Sequence, residues 1–385
     1  MQKIINISSF SRSRLNQDPV KGSFYGWHSQ FARHISGHCK AVVESWSIDA
    51  ALSKQQAYER EGVTYRLFPS GFFLSPGREI STALLKALRQ EARDHEIIVH
   101  LHDYHNWQSY AIALTIKAPV VAHYHGATRR PIENLRFPRR WLFAPLFLIE
   151  QLFENRAVRR IRHFFLANTR SKDYFERRSL PYSFCPMAPE LDVFSVMDKG
   201  EARQVVGERE NKKIVLHVGG FAPVKNLELL ITAFDQVKKF VPSVLYIVGP
   251  TYQPMYKSAI KRQIATLGLN ESVKIVGMVP RKQMNAYYNA ADVLAVTSKA
   301  EEGGPTATLE ALAVGLPVVS VPAGFARDIQ PRSGGLLSIV EDASQYALSL
   351  QKELSLVKDE RKPIQAWTWD DVLKIVGPAY SHLFE

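Results

Sequence analysis

Cysteine is scarce in this sequence, and long apolar runs are missing. Two cysteines, Cys39 and Cys185, cannot form a disulfide framework in 385 residues, and buried thiols in a reducing compartment are expected. No segment approaches the roughly 18 consecutive apolar residues that a membrane-spanning helix needs. Residues 1–17 lack the apolar core of a secretory signal, so none is expected. These absences favour a cytoplasmic protein.

Acidic residues are fewer than basic residues. The chain has 37 Asp and Glu against 49 Lys and Arg, a formal net charge of +12. The excess is uneven, because residues 129–162 contain nine arginines and three glutamates. A basic protein attracts the phosphates of nucleotide ligands, nucleic acids or anionic lipids.

Apolar strand-like runs alternate with helical segments along the chain. This β/α alternation predicts parallel sheets with helices on both faces. The length is too great for one core. The charged segment 196–211 has no apolar run longer than two residues, so we predict domains over 1–200 and 201–367. Two similar α/β halves favour a ligand-binding cleft between them.

One β–loop–α–β unit carries the clearest functional signal. The apolar run Val293–Val296 predicts a buried strand, and an acidic, glycine-containing loop, Glu301–Gly304, follows it. A helix then starts at Thr306 and stops at Gly315, before a second strand over Pro317–Val321. A right-handed crossover makes the two strands parallel. Ligands bind at the carboxyl ends of such strands, and a helix N-terminus attracts anions, so this unit is a predicted wall of the active site.

Several motifs together resemble one family. Glu302 and Glu310 stand in a Glu-Gly-Gly-Pro…Glu-Ala frame, and a glycine–lysine segment precedes them over residues 219–226. With Trp369 near the end, the chain resembles the family-4 (group 1) retaining glycosyltransferases of GT-B architecture. The resemblance covers most of residues 212–385. It implies two Rossmann-like parallel-sheet domains that face a central cleft, with a C-terminal helix, 368–385, crossing back to the first domain.

The resemblance also implies roles for individual residues. The predicted catalytic residues are Glu302, beside the transferred sugar, and His125, at the end of an N-terminal strand. Lys225 would neutralise the leaving diphosphate, and Glu310 would accept hydrogen bonds from the donor ribose. The full predicted donor-binding set is Gly219, Gly220, Lys225, Gly277, Gly303, Gly304, Pro305, Thr306 and Glu310.

Plainer interpretations stand beside these roles. Glu302 would then only favour a helix N-terminus, Glu310 would be a solvated helix acid, and Lys225 would be a surface lysine. The family usually has an arginine at the position of Gly220. Arg281 and Lys282 are two candidates to replace that cation, and nothing in the sequence selects either.

The histidines permit a metal interpretation, which the sequence favours less. His100 and His102 alternate on one predicted strand, as do His123 and His125 on the next, so each pair shares a face. No carboxylate stands at ligand spacing, and the plainer interpretation of His125 is a half-buried histidine whose hydrogen bonds are satisfied. The chain has no Asp-x-Asp pair, which many glycosyltransferases use to hold a metal on the diphosphate. We expect no metal and no cofactor.

The basic segment after residue 126 mixes arginines with aromatic and aliphatic residues. Such a helix suits an anionic membrane interface, and the alternative is a long core helix with a solvated basic face. The bulky aliphatic residues argue against nucleic-acid binding. The residues predicted for the membrane and acceptor side are Arg136, Arg139, Arg140, Trp141 and Phe143.

The sequence therefore predicts transfer of a sugar, with retention, from a UDP- or GDP-linked donor to a hydroxyl of a glycan or lipid-linked acceptor. Polysaccharide, lipopolysaccharide or glycolipid synthesis is the expected setting, with peripheral attachment to the inner face of the membrane. A GT-B sugar-nucleotide epimerase and a non-catalytic sugar-nucleotide-binding protein are the alternatives.

Overall fold

The computed structural model describes residues 1–8, 27–75, 78–125, 139–208, 212–299, 306–356 and 361–385. For residue 75 and residues 139–143 it describes the backbone alone. The chain divides into two compact units. The first contains Met1–Pro186 and Asp370–Glu385, and the second contains Met187–Trp369.

The bounds of the elements are as follows. The strands are β1 Gln2–Ser8, β2 Val42–Asp49, β3 Gln56–Arg60, β4 Val63–Pro69, β5 Phe72–Ser75, β6 Arg78–Ile80, β7 Glu96–His102, β8 Val120–Tyr124, β9 His163–Leu166, β10 Tyr182–Phe184, β11 Lys213–Val218, β12 Ser243–Val248, β13 Val273–Gly277, β14 Val293–Val296, β15 Val318–Ser320 and β16 Leu337–Ile339. The α-helices are α1 Trp27–Ser36, α2 Thr82–Asp94, α3 Trp107–Thr115, α4 Arg139–Val158, α5 Lys172–Glu176, α6 Lys199–Val205, α7 Leu227–Lys238, α8 Pro254–Thr266, α9 Arg281–Ala290, α10 Thr306–Ala313, α11 Ala326–Ile329, α12 Tyr346–Ser355 and α13 Trp369–Phe384.

The first unit contains a sheet of eight strands in the order β10-β9-β8-β7-β1-β2-β4-β3. Its pairs are parallel apart from β3 and β4. Central strands such as β1 and β7 are buried along nearly their whole length, which is why they are apolar runs in the sequence. Ser81 caps α2, because its side chain accepts a hydrogen bond from the Leu84 amide at 3.2 Å.

The second unit contains six parallel strands in the order β13-β12-β11-β14-β15-β16. The chain reverses its direction of winding between β11 and β14. In an open α/β sheet, this switch point is where the loops after two adjacent strands part and leave room for a ligand. The predicted parallel pairing of β14 with β15 is confirmed.

Three short strands departed from the sequence prediction. Strand β3 lies antiparallel at the sheet edge, and β5 pairs with β6 in a separate antiparallel hairpin. The predicted parallel sheets are present, and these three strands add antiparallel pairs that the sequence analysis did not predict. The side chains of β3 are mostly exposed and polar, so this strand produces no apolar run.

The segment before residue 200 packs with the second unit, although the predicted boundary assigned it to the first. The Phe194 ring lies 5.5 Å from the ring of Tyr288, and the Met197 amide donates to Asn289 Oδ1 at 3.1 Å. These contacts hold the chain to α9 at the start of the charged segment 196–211.

Candidate functional site

The first candidate site lies in the second unit, at the switch point of its sheet. The loop after β11 begins at Gly219, whose amide donates to the Val248 carbonyl at 2.9 Å. The neighbouring loop after β12 begins at Gly249, which has a φ of 151°. A Cβ at Gly249 would overlap the Gly219 carbonyl. Glycine is therefore required where these two loops touch.

Lys225 ends a short 3₁₀ turn, Pro223–Lys225, in the loop after β11. Thr297, just beyond β14, donates its hydroxyl to the Lys225 carbonyl at 2.9 Å, so the loops on either side of the switch point are tied together. The lysine stem passes over Gly219, where a Cβ would lie 3.2 Å from Lys225 Cε. Burial lowers the pKa of Lys225 to about 8. The ammonium is thus held, partly desolvated, at the carboxyl end of the sheet.

The environment of Lys225 contains a second base. His217 on β11 is buried, and its Nδ1 donates to the Ala295 carbonyl at 3.0 Å. Burial, with a contribution from the Lys225 charge, lowers the pKa of His217 to about 4. His217 is therefore neutral at physiological pH, and the positive charge here belongs to the lysine.

Gly220 has a structural reason to be glycine. A Cβ at this position would overlap the ring of Tyr252 and would lie 3.1 Å from the Pro250 carbonyl. The ring of Tyr252 therefore occupies the space that the first atom of any larger side chain at position 220 would need. An arginine, which the family usually has at this position, would clash with the Tyr252 ring in its present position.

Gly277 is the last residue of β13 and has a φ of 87°, in the region that favours glycine. Its carbonyl accepts a hydrogen bond from the Gly249 amide at 2.8 Å. Gly219, Gly249 and Gly277 thus lie at the carboxyl ends of three adjacent strands. Gly219 and Gly277 were predicted, and the Lys225 side chain lies against Gly219.

Glu310 lies on α10 and is buried, with 5% of its surface exposed. The Tyr288 hydroxyl donates to its Oε2 at 2.5 Å, and Arg281 Nη1 donates to its Oε1 at 3.1 Å. The interpretation of Glu310 as a solvated helix acid was therefore wrong. A buried carboxylate held by two donors keeps lone pairs for further hydroxyl donors.

Glu190 joins the same cluster and was not singled out from the sequence. Its carboxylate forms an ion pair with Arg281, which lies between Glu190 and Glu310. Neighbouring carboxylates favour the charged guanidinium against its burial, so the pKa of Arg281 is raised. Glu190 is 120 positions from Glu310, and no local pattern links them. Lys282, the other candidate cation, is exposed.

Part of the predicted site lies outside the described residues. Thr306 is the first residue of α10 and is half-buried, but the loop before it is not described. The predictions for that loop concern Glu302, Gly303, Gly304 and Pro305. They remain sequence-based.

His125 follows β8 in the first unit and is half-buried. Its amide donates to Asp103 Oδ1 at 3.3 Å, and its Nε2 lies 3.4 Å from Nδ1 of His102. Burial lowers the pKa of His125, and the Asp103 carboxylate opposes this shift. Asp103 itself has a φ of 70°, an unusual conformation for a non-glycine residue. These residues lie at the carboxyl end of β7 and β8.

The predicted membrane-side residues are only partly described. Arg136 lies outside the described residues, and the side chains of Arg139, Arg140, Trp141 and Phe143 at the start of α4 do as well. Further along α4, large apolar side chains remain exposed, namely Leu148, Ile149, Leu152 and Phe153. Across the parts of the chain that the structure covers, no helix combines the length and apolar character needed to span a bilayer.

Comparisons with known proteins agree with the fold and with these motifs. The family model described as glycosyl transferases group 1 matches residues 198–366. The D-inositol 3-phosphate glycosyltransferase of Mycobacteroides abscessus is 33% identical over 136 residues, 35% of this chain and 30% of that protein. The uncharacterized glycosyltransferase MJ1607 of Methanocaldococcus jannaschii is 27% identical over 206 residues, 51% of this chain and 52% of that protein. The chain thus spans about a third to a half of the relatives it matches.

Solved structures match the whole chain. Sucrose-phosphate synthase (tll1590) from Thermosynechococcus elongatus has a TM-score of 0.74 at 18% identity, over 100% of this chain and 99% of that one. Anabaena Alr3699/HepE in complex with UDP and glucose has a TM-score of 0.71 at 18% identity, over 99% and 100%. The protein therefore has the α/β fold of GT-B glycosyltransferases. The predicted resemblance to the group 1 glycosyltransferases is confirmed.

Proposed function

We propose that this protein is a retaining hexosyltransferase. It takes a sugar from a UDP- or GDP-linked donor and transfers it to a hydroxyl of a glycan or lipid-linked acceptor in polysaccharide, lipopolysaccharide or glycolipid synthesis. The second unit binds the donor, and the first unit binds the acceptor. The relatives named as glycosyltransferases, and the Anabaena protein that was solved with UDP and glucose, support this class of reaction.

The position of Lys225 is the observation on which the proposal depends. Departure of a nucleoside diphosphate builds negative charge on its phosphates, and a fixed cation in a partly desolvated site stabilises that charge. Lys225 lies at the switch point of the sheet, and at neutral pH it is protonated despite a pKa lowered to about 8. The lysine and the N-terminus of α10 would stabilise the leaving group without a metal ion on the diphosphate.

Glu310 would bind the donor ribose. The carboxylate is buried beside Tyr288 and Arg281, which fix its position, and each oxygen keeps a lone pair for a ribose hydroxyl. The roles of Glu302 and His125 toward the transferred sugar come from the family resemblance and stay predictions.

A matched pair of substitutions tests the donor site. Glu310→Gln keeps the size of the side chain, removes the charge and replaces one acceptor oxygen by an amide nitrogen, so the ribose hydroxyls lose a charged acceptor. Hydrogen bonds to charged groups are worth roughly 1.5–3 kcal/mol, so the affinity for UDP or GDP should fall about tenfold to a hundredfold. Isothermal titration calorimetry measures this change. Glu271→Gln is the control, because Glu271 is exposed and lies before the amino end of β13, away from the carboxyl ends of the strands. Equal nucleotide affinity in the two variants would refute the ribose assignment.

Product analysis separates the proposal from its alternatives. A transferase releases free nucleotide only when an acceptor is present, whereas an epimerase converts the donor without one. The anomeric configuration of the product, measured by NMR, tests retention. Binding of a nucleotide sugar without turnover, across a panel of glycan and lipid-linked acceptors, would support the non-catalytic alternative.

We further propose that α4 attaches the protein to the inner face of the membrane. The exposed fractions of Leu152 and Phe153 are 65% and 53%, and the net charge of the chain favours an anionic surface. Such attachment would bring the protein to a lipid-linked acceptor. Replacing both Arg139 and Arg140 by Glu should release the protein from anionic vesicles, and an unchanged partition would contradict the attachment.

A further inference from the structure

Four histidine rings lie side by side on one face of the first unit's sheet. His100 and His102 alternate along β7, and His123 and His125 alternate along β8. The register of the two strands places His102 directly opposite His123. The ring centroids are 4.8 Å apart within each strand. Strand alternation and register together create this cluster.

The cluster is covered by α1. The Trp27 ring lies 4.6 Å from the ring of His123, and the Phe31 ring lies 4.8 Å from that of His100. The exposed fractions of His100, His102 and His123 are 0%, 3% and 0%. Burial lowers the pKa of all three well below the usual value. The three rings are therefore enclosed within the first unit, beneath α1.

Several ring nitrogens in this cluster lack a partner. Across the described residues, Nε2 of His100 and Nε2 of His102 make no hydrogen bond, and neither do the nitrogens of His123 apart from an interaction with the Cys185 backbone that favours the protonated ring. One nitrogen from each of the three rings lies within 4.8 Å of the other two. Buried polar atoms grouped in this way point to a bound ion or water.

The opposite nitrogens of two of these rings are held in place. His100 Nδ1 is hydrogen-bonded to the hydroxyl of Tyr380 on α13. His102 Nδ1 lies 3.4 Å from Nε2 of His125. Histidines that ligate metals commonly use their second nitrogen in this manner, which fixes the ring and its tautomer. The arrangement leaves Nε2 of both rings for a shared ligand.

We propose that His100, His102 and His123 together bind one divalent transition-metal ion of the Zn²⁺ type, with a fourth position for water. Three imidazoles are a sufficient protein ligand set for zinc, so the missing carboxylate that made the sequence interpretation weak is not needed. Imidazole nitrogen also suits Co²⁺, Ni²⁺ and Cu²⁺.

Binding requires a small rearrangement of the rings. The ring planes of the three ligands lie 13–17° from parallel, so their lone pairs do not yet meet at one point. Rotation about the Cβ–Cγ bond, a torsion with broad preferences, turns each nitrogen toward the centre. Zinc–nitrogen bonds of about 2.0–2.1 Å then draw the three nitrogens together. The alternative occupant is buried water, which would satisfy the same nitrogens without rotation.

Cobalt titration of the untagged, full-length chain tests the proposal. After treatment with a chelator, addition of Co²⁺ should produce the visible absorption of a four-coordinate site, which saturates at one ion per chain. Zn²⁺ should abolish this band and raise the melting temperature. Mg²⁺, which prefers oxygen ligands, should do neither. A wild-type chain with no cobalt band and no zinc-dependent shift would overturn the proposal and leave water as the occupant.

Three variants locate the site. His123→Phe and His102→Gln should each abolish the cobalt band, with circular dichroism as the check on folding. His163→Gln should keep it, because His163 lies on β9 and is bonded to the Ser183 hydroxyl at 2.9 Å. A band that persists in a folded His123→Phe or His102→Gln chain would show that the metal binds elsewhere. Transferase activity is not the readout, so this test and that of the proposed function can fail independently.

Discussion

Replacement of Lys225 by Met should stabilise the protein while weakening its hold on nucleotides. Burial holds the pKa of this lysine at about 8, against an ordinary value of 10.5. The difference corresponds to a free-energy penalty of roughly 3 kcal/mol for keeping the ammonium charged in the folded state. Met has a similar length and no charge, so Lys225→Met removes that penalty. An increase of up to about 3 kcal/mol in the free energy of unfolding follows at neutral pH.

The pH dependence of this effect has a definite sign. Below pH 8 the lysine is protonated in both the folded and unfolded states, so the wild-type chain bears the full penalty. Between pH 8 and 10.5 the unfolded state binds more protons than the folded state, and wild-type stability therefore rises with pH. The advantage of Lys225→Met should be largest below pH 8 and should decline toward pH 10.5.

Nucleotide affinity should change in the opposite direction. A bound diphosphate raises the pKa of Lys225, so binding takes up a proton once the pH exceeds about 8. Wild-type affinity for UDP or GDP should therefore fall as the pH rises through this value. The variant should bind more weakly at neutral pH and show a flatter profile.

Urea denaturation and calorimetric titration across this pH range measure both effects. Lys282→Met is the matched control, because Lys282 is exposed in the same unit and its replacement should change neither quantity by much. The reasoning is refuted if Lys225→Met is no more stable than the wild-type chain at neutral pH. It is also refuted if the stability difference is independent of pH.

Two further variants test the contact between the glycine loops and the membrane role of α4. Gly249→Ala places a Cβ against the Gly219 carbonyl at a φ of 151°, so it should lower the free energy of unfolding by more than about 2 kcal/mol in urea denaturation. Gly268→Ala is the control, because its φ is 65° with open space around the Cβ, and about 1 kcal/mol is expected. Replacing Leu152 and Phe153 together by Asp should reduce sedimentation with anionic vesicles at least tenfold. Each of these exposed side chains would contribute roughly 1.5–3 kcal/mol on burial in the lipid. Unchanged sedimentation would remove α4 from the membrane proposal.

The sequence predicted the central strands and the long helices well, for a physical reason. A parallel sheet that is covered on both faces demands continuous apolar runs, and runs such as Val293–Val296 are visible without a structure. The cap of α2 was also visible, because Ser81 has a local partner three residues away. Strand β3 and the β5–β6 hairpin were not predicted, because short, exposed edge strands require no apolar pattern.

The sequence predicted site residues where nearby positions form a pattern, but it did not predict the contacts between positions distant in the chain. Alternation showed that His100 and His102 share a face, but the register that brings His123 opposite His102 is a property of the folded sheet. The position of Glu310 was evident from its motif. Its pairing with Arg281, and the second pairing of Arg281 with Glu190, join positions distant in the chain and had no sequence signal.

The two ion pairs of Arg281 help to decide which cation compensates for Gly220. Where the family usually has an arginine, this chain has a glycine covered by the ring of Tyr252, so a second cation for the diphosphate must come from elsewhere. Arg281 is held between Glu190 and Glu310, and a guanidinium shared by two carboxylates has little net charge to offer a phosphate. Its part is to position Glu310. Among the cations considered from the sequence, we therefore expect Lys225 to bind the diphosphate, and donor binding should depend on this lysine more steeply than on Arg281.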